Sequence, residues 1–588
     1  MKYTVIPDSV RVDPVNVRLH EYQPELYQRN IPEDYLYNNV VWNEKDKVVR
    51  LKAAGNETVA FQVVLLSDRQ CKGIAAELTS ESSPDLFSRR NVELFKEWFV
   101  EVHVPSSGYE KTTMGPGWYP DALIPLDSTP ANWGAPFAMP DYWNRVRGQK
   151  AAILWADIYV PPQTPAGRYS AEIRIRAKGL ETDIRIPVEL TVWPFALPNE
   201  DTLKGNFYTG AYKHWSHEKE LRHQQMFKRH RIAVHQCYYR PLVKCDPGTL
   251  QVDWTQYDAR LEKYLDGSAF TSRHGYYGTG VGEPLEYLLL PFNVTGHRNS
   301  KGWPFDTAGP RDATFWKQLD YVCAETRKHL LEEGRVNLKR TQLQLFLNGL
   351  DECYTREAHD EMKVWSKYFK KYFPEALYRI DGGYDDATMD YLGNGTIDLC
   401  IYHSGGYDMP KVERNRARGV KDWIYGPTVY ESKTNMLTGA SSFIDLSLLT
   451  QRGLSWLVHK YKAASWCQWE FMYGHDMAWF NPETFKNDQL EEFRCFNGNG
   501  TLVYNGEFLG LPDPVVSIRL KATRTGSQEW EYLKLYEKVV GDTSRVLDNL
   551  LYQPLGTASI GNLEPWNCDI SAWDRARLEM GEAIAQKM

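Results

Sequence analysis

The chain has 588 residues, 42% apolar and 25% charged, a composition that builds sizeable cores and excludes a disordered or fibrous protein. Its 69 basic and 76 acidic residues leave a net charge of −7, which excludes a general nucleic-acid or anionic-membrane binder because phosphate contacts need clustered Lys and Arg. The longest apolar runs, such as Ala151-Ala152-Ile153-Leu154-Trp155, fall far short of the ~18 residues needed to span a bilayer, so no membrane span is expected.

Residues 1 to about 198 read as an antiparallel β-sandwich. Val48 to Lys52 and Thr58 to Leu66 are β-branched runs bounded by Gly, Asn and Asp, and Ala151–Val160, Arg168–Ala177 and Thr182–Val192 follow. The turns between the last three are Pro161-Pro162-Gln163-Thr164-Pro165-Ala166-Gly167 and Lys178-Gly179-Leu180-Glu181. Short strands joined by such turns are a sandwich pattern. Pro194, Pro198 and the polar Asn199-Glu200-Asp201 mark a boundary.

From there to residue 588 strands and helices alternate. Strands are predicted near 204–212, 231–239, 285–292, 342–348, 377–381, 397–402, 421–426 and 463–469. Arg311 to Glu333 places Phe315, Leu319, Val322, Thr326 and Leu330 at helical spacing, with Asp312 near its start and Gly334 at its end. In Glu357 to Phe373 the residues Met362, Trp365, Phe369 and Phe373 share a face, and Pro374 stops the helix. Eight strand candidates fit a (β/α)8 TIM-like barrel over 199–588. The stretch 240–284 is long for one connection and reads as an insertion. The tail holds a predicted hairpin, Gly500–Tyr504 with Val515–Leu520, then helices near Gln528–Val540 and Trp573–Ala585.

Chemistry in such a barrel sits on loops after the C-terminal ends of strands. The fourth strand candidate runs into Asn348-Gly349-Leu350-Asp351-Glu352-Cys353, which puts two adjacent acids at the mouth. Neighbouring side chains enter one pocket only where the backbone turns, and Gly349 permits a turn. Two crowded carboxylates push their pKa values apart, so that one stays ionised and one carries a proton. Adjacent acids do not straddle a glycosidic bond in the usual way, with carboxylates ~5 Å or more apart. Their spacing is compatible with a substrate-assisted route, in which the sugar's own 2-acetamido oxygen attacks the anomeric carbon. A solvated loop charge is the structural alternative for any Asp-Glu pair.

Other candidates follow from strand ends: Tyr239 and Arg240 after the second, Asn293 and His297 after the third, Asp381 at the fifth, Tyr402 and His403 at the sixth, Tyr425 at the seventh, and Trp466, Gln468 and Trp469 at the eighth. Tyr402 or Tyr425 is expected to position the acetamido oxygen, and Trp466 or Trp469 to lie under the sugar ring. The 20 Trp and 36 Tyr residues suit both sugar stacking and an ordinary core. Nine cysteines without a C-x-x-C argue against a zinc ribbon or disulfide scaffold. His217, His223, His230 and His235 lack metal-ligand spacing, and Gly278 to Gly282 lacks the strand and helix of a nucleotide loop. No metal and no cofactor is therefore expected. The start, Met1 to Asp8, lacks a signal-peptide pattern, so the expected compartment is the cytoplasm unless a leader has been trimmed.

Several blocks resemble glycoside hydrolase family 123, the β-N-acetylgalactosaminidases. These are Arg50 to Gln62, Tyr119-Pro120-Asp121-Ala122-Leu123-Ile124-Pro125, Pro165-Ala166-Gly167-Arg168-Tyr169, Gly500-Thr501-Leu502-Val503-Tyr504 and Ser517 to Gly526. The resemblance spans nearly the whole chain. It implies a sandwich followed by a barrel that includes the tail hairpin and helices. By the same resemblance Asp351 orients the 2-acetamido group, and Glu352 is the general acid and then the base. The implied partner is a glycan ending in N-acetylgalactosamine, on an oligosaccharide or a glycolipid. A hexosaminidase preferring N-acetylglucosamine and a catalytically silent glycan-binding scaffold are the alternatives.

Overall fold

A computed structural model of the chain describes residues 1–106, 113–127, 133–209, 211–236, 239–246, 249–403, 407–425, 442–485, 495–552 and 566–588. The chain divides into two compact units. The first comprises residues 1–203, 426–461 and 470–588; the second comprises 204–425 and 462–469. The first stretch of the first unit ends at Leu203, two residues after Asp201. The tail, however, belongs to the first unit and not to the barrel.

In residues 1–203 of the first unit, ten strands run in chain order: β1 (Lys2–Pro7), β2 (Val49–Gly55), β3 (Glu57–Leu66), β4 (Cys71–Thr79), β5 (Val92–Val102), β6 (Gly117–Pro125), β7 (Phe137–Met139), β8 (Ala151–Val160), β9 (Gly167–Lys178) and β10 (Ile184–Ala196). They form two five-stranded sheets of order β1-β3-β8-β5-β6 and β2-β10-β9-β4-β7. One apolar core takes side chains from both, including Phe61, Leu154 and Ile158 from the first sheet and Leu51, Ile173 and Val188 from the second. β10 alternates: Ile186, Val188 and Leu190 are buried while Arg185, Pro187 and Glu189 are not, the period of a sheet with one wet face. β8 is buried almost throughout, because it is the central strand and its other face is also covered. The expected antiparallel pairing needs one correction, since β10 pairs with β2 in parallel.

The second unit holds β11 (Asn206–Thr209), β12 (Ala233–Gln236), β13 (Leu242–Asp246), β14 (Thr249–Asp253), β15 (Tyr287–Leu289), β16 (Gln342–Leu345), β17 (Leu377–Asp381), β18 (Leu399–His403), β19 (Lys421–Tyr425) and β20 (Ser465–Gln468). Eight of them, one for each predicted strand, form a parallel sheet of order β12-β11-β20-β19-β18-β17-β16-β15. Its end strands β12 and β15 lie side by side, so the sheet is nearly closed. The 240–284 insertion holds the β13–β14 hairpin and the helix Thr255–Leu265.

Helices α1 (His217–Arg229), α2 (Thr255–Leu265), α3 (Ala313–Arg327), α4 (Arg356–Tyr372), α5 (Asp386–Leu392) and α6 (Met409–Ala417) lie between strands of this unit. Their starts are set by side chains that accept orphan N–H groups: Asp312 from Phe315, Thr355 from Ala358 and Asp385 from Thr388. α4 buries Met362, Trp365 and Phe369 on one face, each contributing roughly 1.5–3 kcal/mol.

The first unit also contains α7 (Leu449–Tyr461), α8 (Ile518–Val539), α9 (Ser544–Leu550) and α10 (Ile570–Ala585). The predicted tail hairpin survives only as Val503–Tyr504 against Val515–Val516. Ser517 caps α8 by accepting from Leu520, so 517–520 open a helix instead of extending a strand. Gly526 lies inside α8 because a Cβ there would come within 2.2 Å of the Arg452 carbonyl of α7.

Candidate active site

The second unit's sheet has an inner face that fixes which strand-end residues meet. Tyr208, Ala233, Tyr287, Leu399, Ile401, Trp423, Tyr425 and Cys467 cluster there. Side chains alternate along a strand, so residues of the opposite parity point away from this interior. Arg379 and Asp381 of β17 are on the interior parity. The Arg379 side chain is fully buried, and its guanidinium lies 4.8 Å from the Phe346 ring centre and 5.5 Å from that of Tyr208. It grips Asp381 with two N–H groups, Nε to Oδ1 at 3.1 Å and Nη2 to Oδ2 at 3.0 Å. Burial by itself would lower the Arg379 pKa, but the Asp381 carboxylate raises it beyond its usual value.

The acidic pair follows β16 through a tight turn, Asn348–Leu350. Asp351 is extended and buried; Glu352 is exposed and has φ +50°. A left-handed backbone at a non-glycine residue costs of order 1–3 kcal/mol and persists only where the surroundings impose it. The strain falls on Glu352 and not, as the sequence suggested, on Gly349. Gly349 instead provides close approach: a Cβ there would lie 2.2 Å from the Val294 carbonyl, and one on Gly296 would lie 2.3 Å from the Gly349 carbonyl. The loops after β15 and β16 thus lock backbone to backbone. Asn293 accepts from the Gly349 N–H at 3.2 Å, and Asn348 donates to Ser300. Beyond the pair, the Tyr384 hydroxyl donates to the Cys353 carbonyl at 2.7 Å. Asp351 and Glu352 are therefore held from both sides.

Tyr425 completes the group. Burial pushes its phenol pKa well above 10, and nearby Asp381, Cys467, Glu352 and Asp351 push it further. The phenol therefore keeps its proton, within electrostatic reach of Asp381, Glu352 and Asp351. A small depression is bounded by Tyr208, Tyr239, Arg240, Asn293, Phe346 and Asn348. The Tyr239 ring lies beneath Arg260, 4.5 Å from its guanidinium. Burial and then Glu220 raise the Tyr239 pKa.

The structure thus brings together Asp351, Glu352, Asp381 and Tyr425. Trp469 is half-buried just beyond β20, and His297 is exposed in the loop after β15. His403 ends β18 opposite Tyr425; its side chain lies outside the described residues. Two expected contacts need correction. Trp466 is on the opposite parity, fully buried edge-on to Phe207 at 5.9 Å, and fills the space left by Gly205. Tyr402 is likewise outward, with its hydroxyl accepting from Asn415 of α6 and its ring in the space left by Gly383. Both are packing residues because a glycine opposite each makes room for the ring. Arg379 and Tyr384 were missed. Arg379 was readable from Leu377-Tyr378-Arg379-Ile380-Asp381, where the cation and the acid are two apart on one strand face.

Among the described residues no group of three His, Cys, Asp or Glu side chains is placed to hold a metal ion. His223 and His230 of α1 instead bond backbone carbonyls one turn back, Lys219 and Met226, each at 2.8 Å. No described helix is long and apolar enough to cross a membrane.

No protein-family model and no curated protein matches the chain. Among solved structures it is similar to a family 123 glycoside hydrolase from Clostridium perfringens, described with glycolipid glycan hydrolysis. The two share 13% identity over 100% of both chains, with a TM-score of 0.62. The whole chain therefore has the fold of that enzyme. An FMN-binding β-glucuronidase from Facaelibacterium prausnitzii aligns at 11% identity, over 82% of this chain and 60% of the other, with a TM-score of 0.27. An endo-β-1,4-mannanase from Thermotoga petrophila aligns at 10% identity, over 57% and 77%, with a TM-score of 0.31.

Proposed function

We propose that the chain, folded like a family 123 glycoside hydrolase, is a retaining exo-glycosidase that releases terminal β-linked N-acetylgalactosamine by substrate-assisted catalysis. The observation that carries this is the acidic pair at the mouth, with Glu352 in a strained left-handed conformation beside the protonated Tyr425. Strain of this kind clusters at functional sites. Here it turns Glu352 away from the path that an extended chain would give its side chain.

In the first step the 2-acetamido carbonyl oxygen attacks the anomeric carbon. The glycosidic C–O bond breaks, its electron pair stays on the leaving oxygen, and Glu352 gives that oxygen its proton. Asp351 accepts a hydrogen bond from the acetamido N–H as positive charge develops in the oxazolinium ring. Tyr425 donates to an oxygen of the sugar and keeps it in place. In the second step a water loses a proton to Glu352 and opens the ring at the anomeric carbon, so two inversions give net retention.

The test is release of para-nitrophenol from the β-N-acetylgalactosaminide and the β-N-acetylglucosaminide, assayed side by side. Faster turnover of the former, β-anomeric product at early times and competitive inhibition by the matching thiazoline are expected. An inverted product would exclude the mechanism. Binding of the sugar with no turnover of either substrate would leave a glycan-binding role in place of the enzyme.

A further inference from the structure

Arg379 and Asp381 form an ion pair inside the barrel interior. We infer that Asp381 is a hydroxyl-recognising residue of the sugar site and that Arg379 is its positioning residue. This rests on the glycosidase reading and extends it to how the ring hydroxyls are read.

A carboxylate has about four acceptor positions. Arg379 takes one on each Asp381 oxygen in a planar two-point contact, which fixes the carboxylate plane as well as its position. The guanidinium is itself fixed. It is walled by the rings of Phe346, Tyr208 and Trp423, and its Nη1 reaches Gln344 of the next strand at 3.4 Å. Asp381 keeps 18% of its side chain exposed, whereas Arg379 is fully buried. The pair is therefore sealed at the Arg379 end and open at the Asp381 end.

The open end faces the mouth, since Asp381 is the last residue of β17 and lies within electrostatic reach of Tyr425, which also senses Asp351 and Glu352. Gly382, at φ +121°, lets the chain turn away immediately afterwards. What remains of Asp381 is an acceptor-only edge, held rigidly by Arg379 at the end of β17. Sugar hydroxyls are donors that meet such an edge, and a site built to bond a hydroxyl discriminates strongly against a ligand lacking it.

The experiment compares wild type, Asp381→Asn and Arg379→Lys on para-nitrophenyl β-N-acetylgalactosaminide and on its 3-, 4- and 6-deoxy analogues. In the wild type one deoxygenation is expected to lower kcat/KM roughly ten- to hundred-fold, the value of a hydrogen bond to a charged group. In Asp381→Asn the same deoxygenation should cost less than about three-fold, because its partner is already altered. Arg379→Lys should raise KM several-fold with kcat nearly held, with circular dichroism unchanged. Equal deoxy penalties in all three proteins would overturn the proposal, as would an unchanged KM in both variants. If the wild type hydrolyses nothing, the catalytic reading fails and calorimetry with N-acetylgalactosamine decides this one. At least ten-fold weaker binding to Asp381→Asn supports it; equal binding, or none to the wild type, overturns it.

Discussion

Two sets of buried charge, one in each unit, are arranged in opposite ways. In the first, Asp157 of β8 receives Lys521 and Arg524 of α8, at 2.6 and 2.7 Å, and Asp121 receives Arg519 and the Tyr504 hydroxyl, at 2.7 and 2.6 Å. These side chains are almost wholly buried, and they tie positions roughly 360–400 residues apart in sequence. In the second unit Arg379 is equally buried, but its carboxylate partner reaches the mouth, and Glu352 is exposed. Saturated pairs hold architecture; a pair left open at one end has acceptor capacity for a ligand. Charged burial of the first kind is costly to break and of little chemical use, while that of the second kind is where substitutions change rate.

The largest effect should come from the mouth. Glu352→Gln is expected to lower kcat roughly 10²–10⁴-fold on an oligosaccharide, and much less on an aryl glycoside whose leaving group needs no proton. Full activity of that variant on the oligosaccharide would remove the proposed acid. Its unfolding curve in urea should match the wild type. In the first unit the converse holds. Asp157→Asn should cost about 3–5 kcal/mol in urea unfolding, because two cations are left buried without their counter-charge. Burial by itself would raise the Asp157 pKa, but Arg524 and Lys521 hold it far below the carboxylate range. This stabilisation is present above about pH 4, the unfolded value, and is lost as pH falls. A cost below about 1 kcal/mol would erase the contrast between the units.

The parallel strands were legible because strands covered on both faces read as apolar runs, as in Leu399-Cys400-Ile401-Tyr402. Helix starts were legible at Asp312, whose capping role depends on local sequence alone. Parity was not. Whether Tyr402 or Ile401 faces the interior depends on Gly383 lying opposite the ring, a neighbour set by tertiary packing. The same holds for Trp466 and Gly205. The parallel pairing of β2 with β10 joins segments more than 130 residues apart and leaves no local mark. At the tail, Val515-Val516 promised a strand, and Ser517 turned the chain into a helix by capping it. The acidic pair itself was legible, but the strained backbone of Glu352 was not, since Gly349 is the residue that sequence rules favour for such a turn.

A smaller effect separates strain from stability within the mouth. Glu352→Gly should raise unfolding free energy by about 1 kcal/mol, because glycine adopts φ +50° without a Cβ penalty. It should also abolish proton transfer to the leaving group. Paired with Glu352→Gln, which keeps the strain, it distinguishes backbone relief from loss of the carboxyl. If both variants have wild-type stability, the left-handed conformation carries no strain and the trade-off between folding and rate at this residue is absent.

The smallest effect tests whether the first unit's charges are all saturated. Asp8 faces Asp574, Glu529, Arg452 and Arg524 and has one hydrogen bond, from the Thr525 hydroxyl at 3.2 Å. Burial first, and then repulsion from Asp574, raise its pKa from 3.8 to about 6. The folded state therefore holds this proton more tightly than the unfolded chain. The stability it contributes is complete below about pH 4 and is lost as pH rises through about 6. Asp8→Asn, which stays neutral, should match the wild type at pH 4 and exceed it in melting temperature at pH 7.5, by a few degrees at most. The gain should develop mainly between pH 4 and 6.5. A difference independent of pH would mean that the Asp8 carboxylate is as well compensated as those of Asp157 and Asp121, and the first unit would then be uniformly saturated.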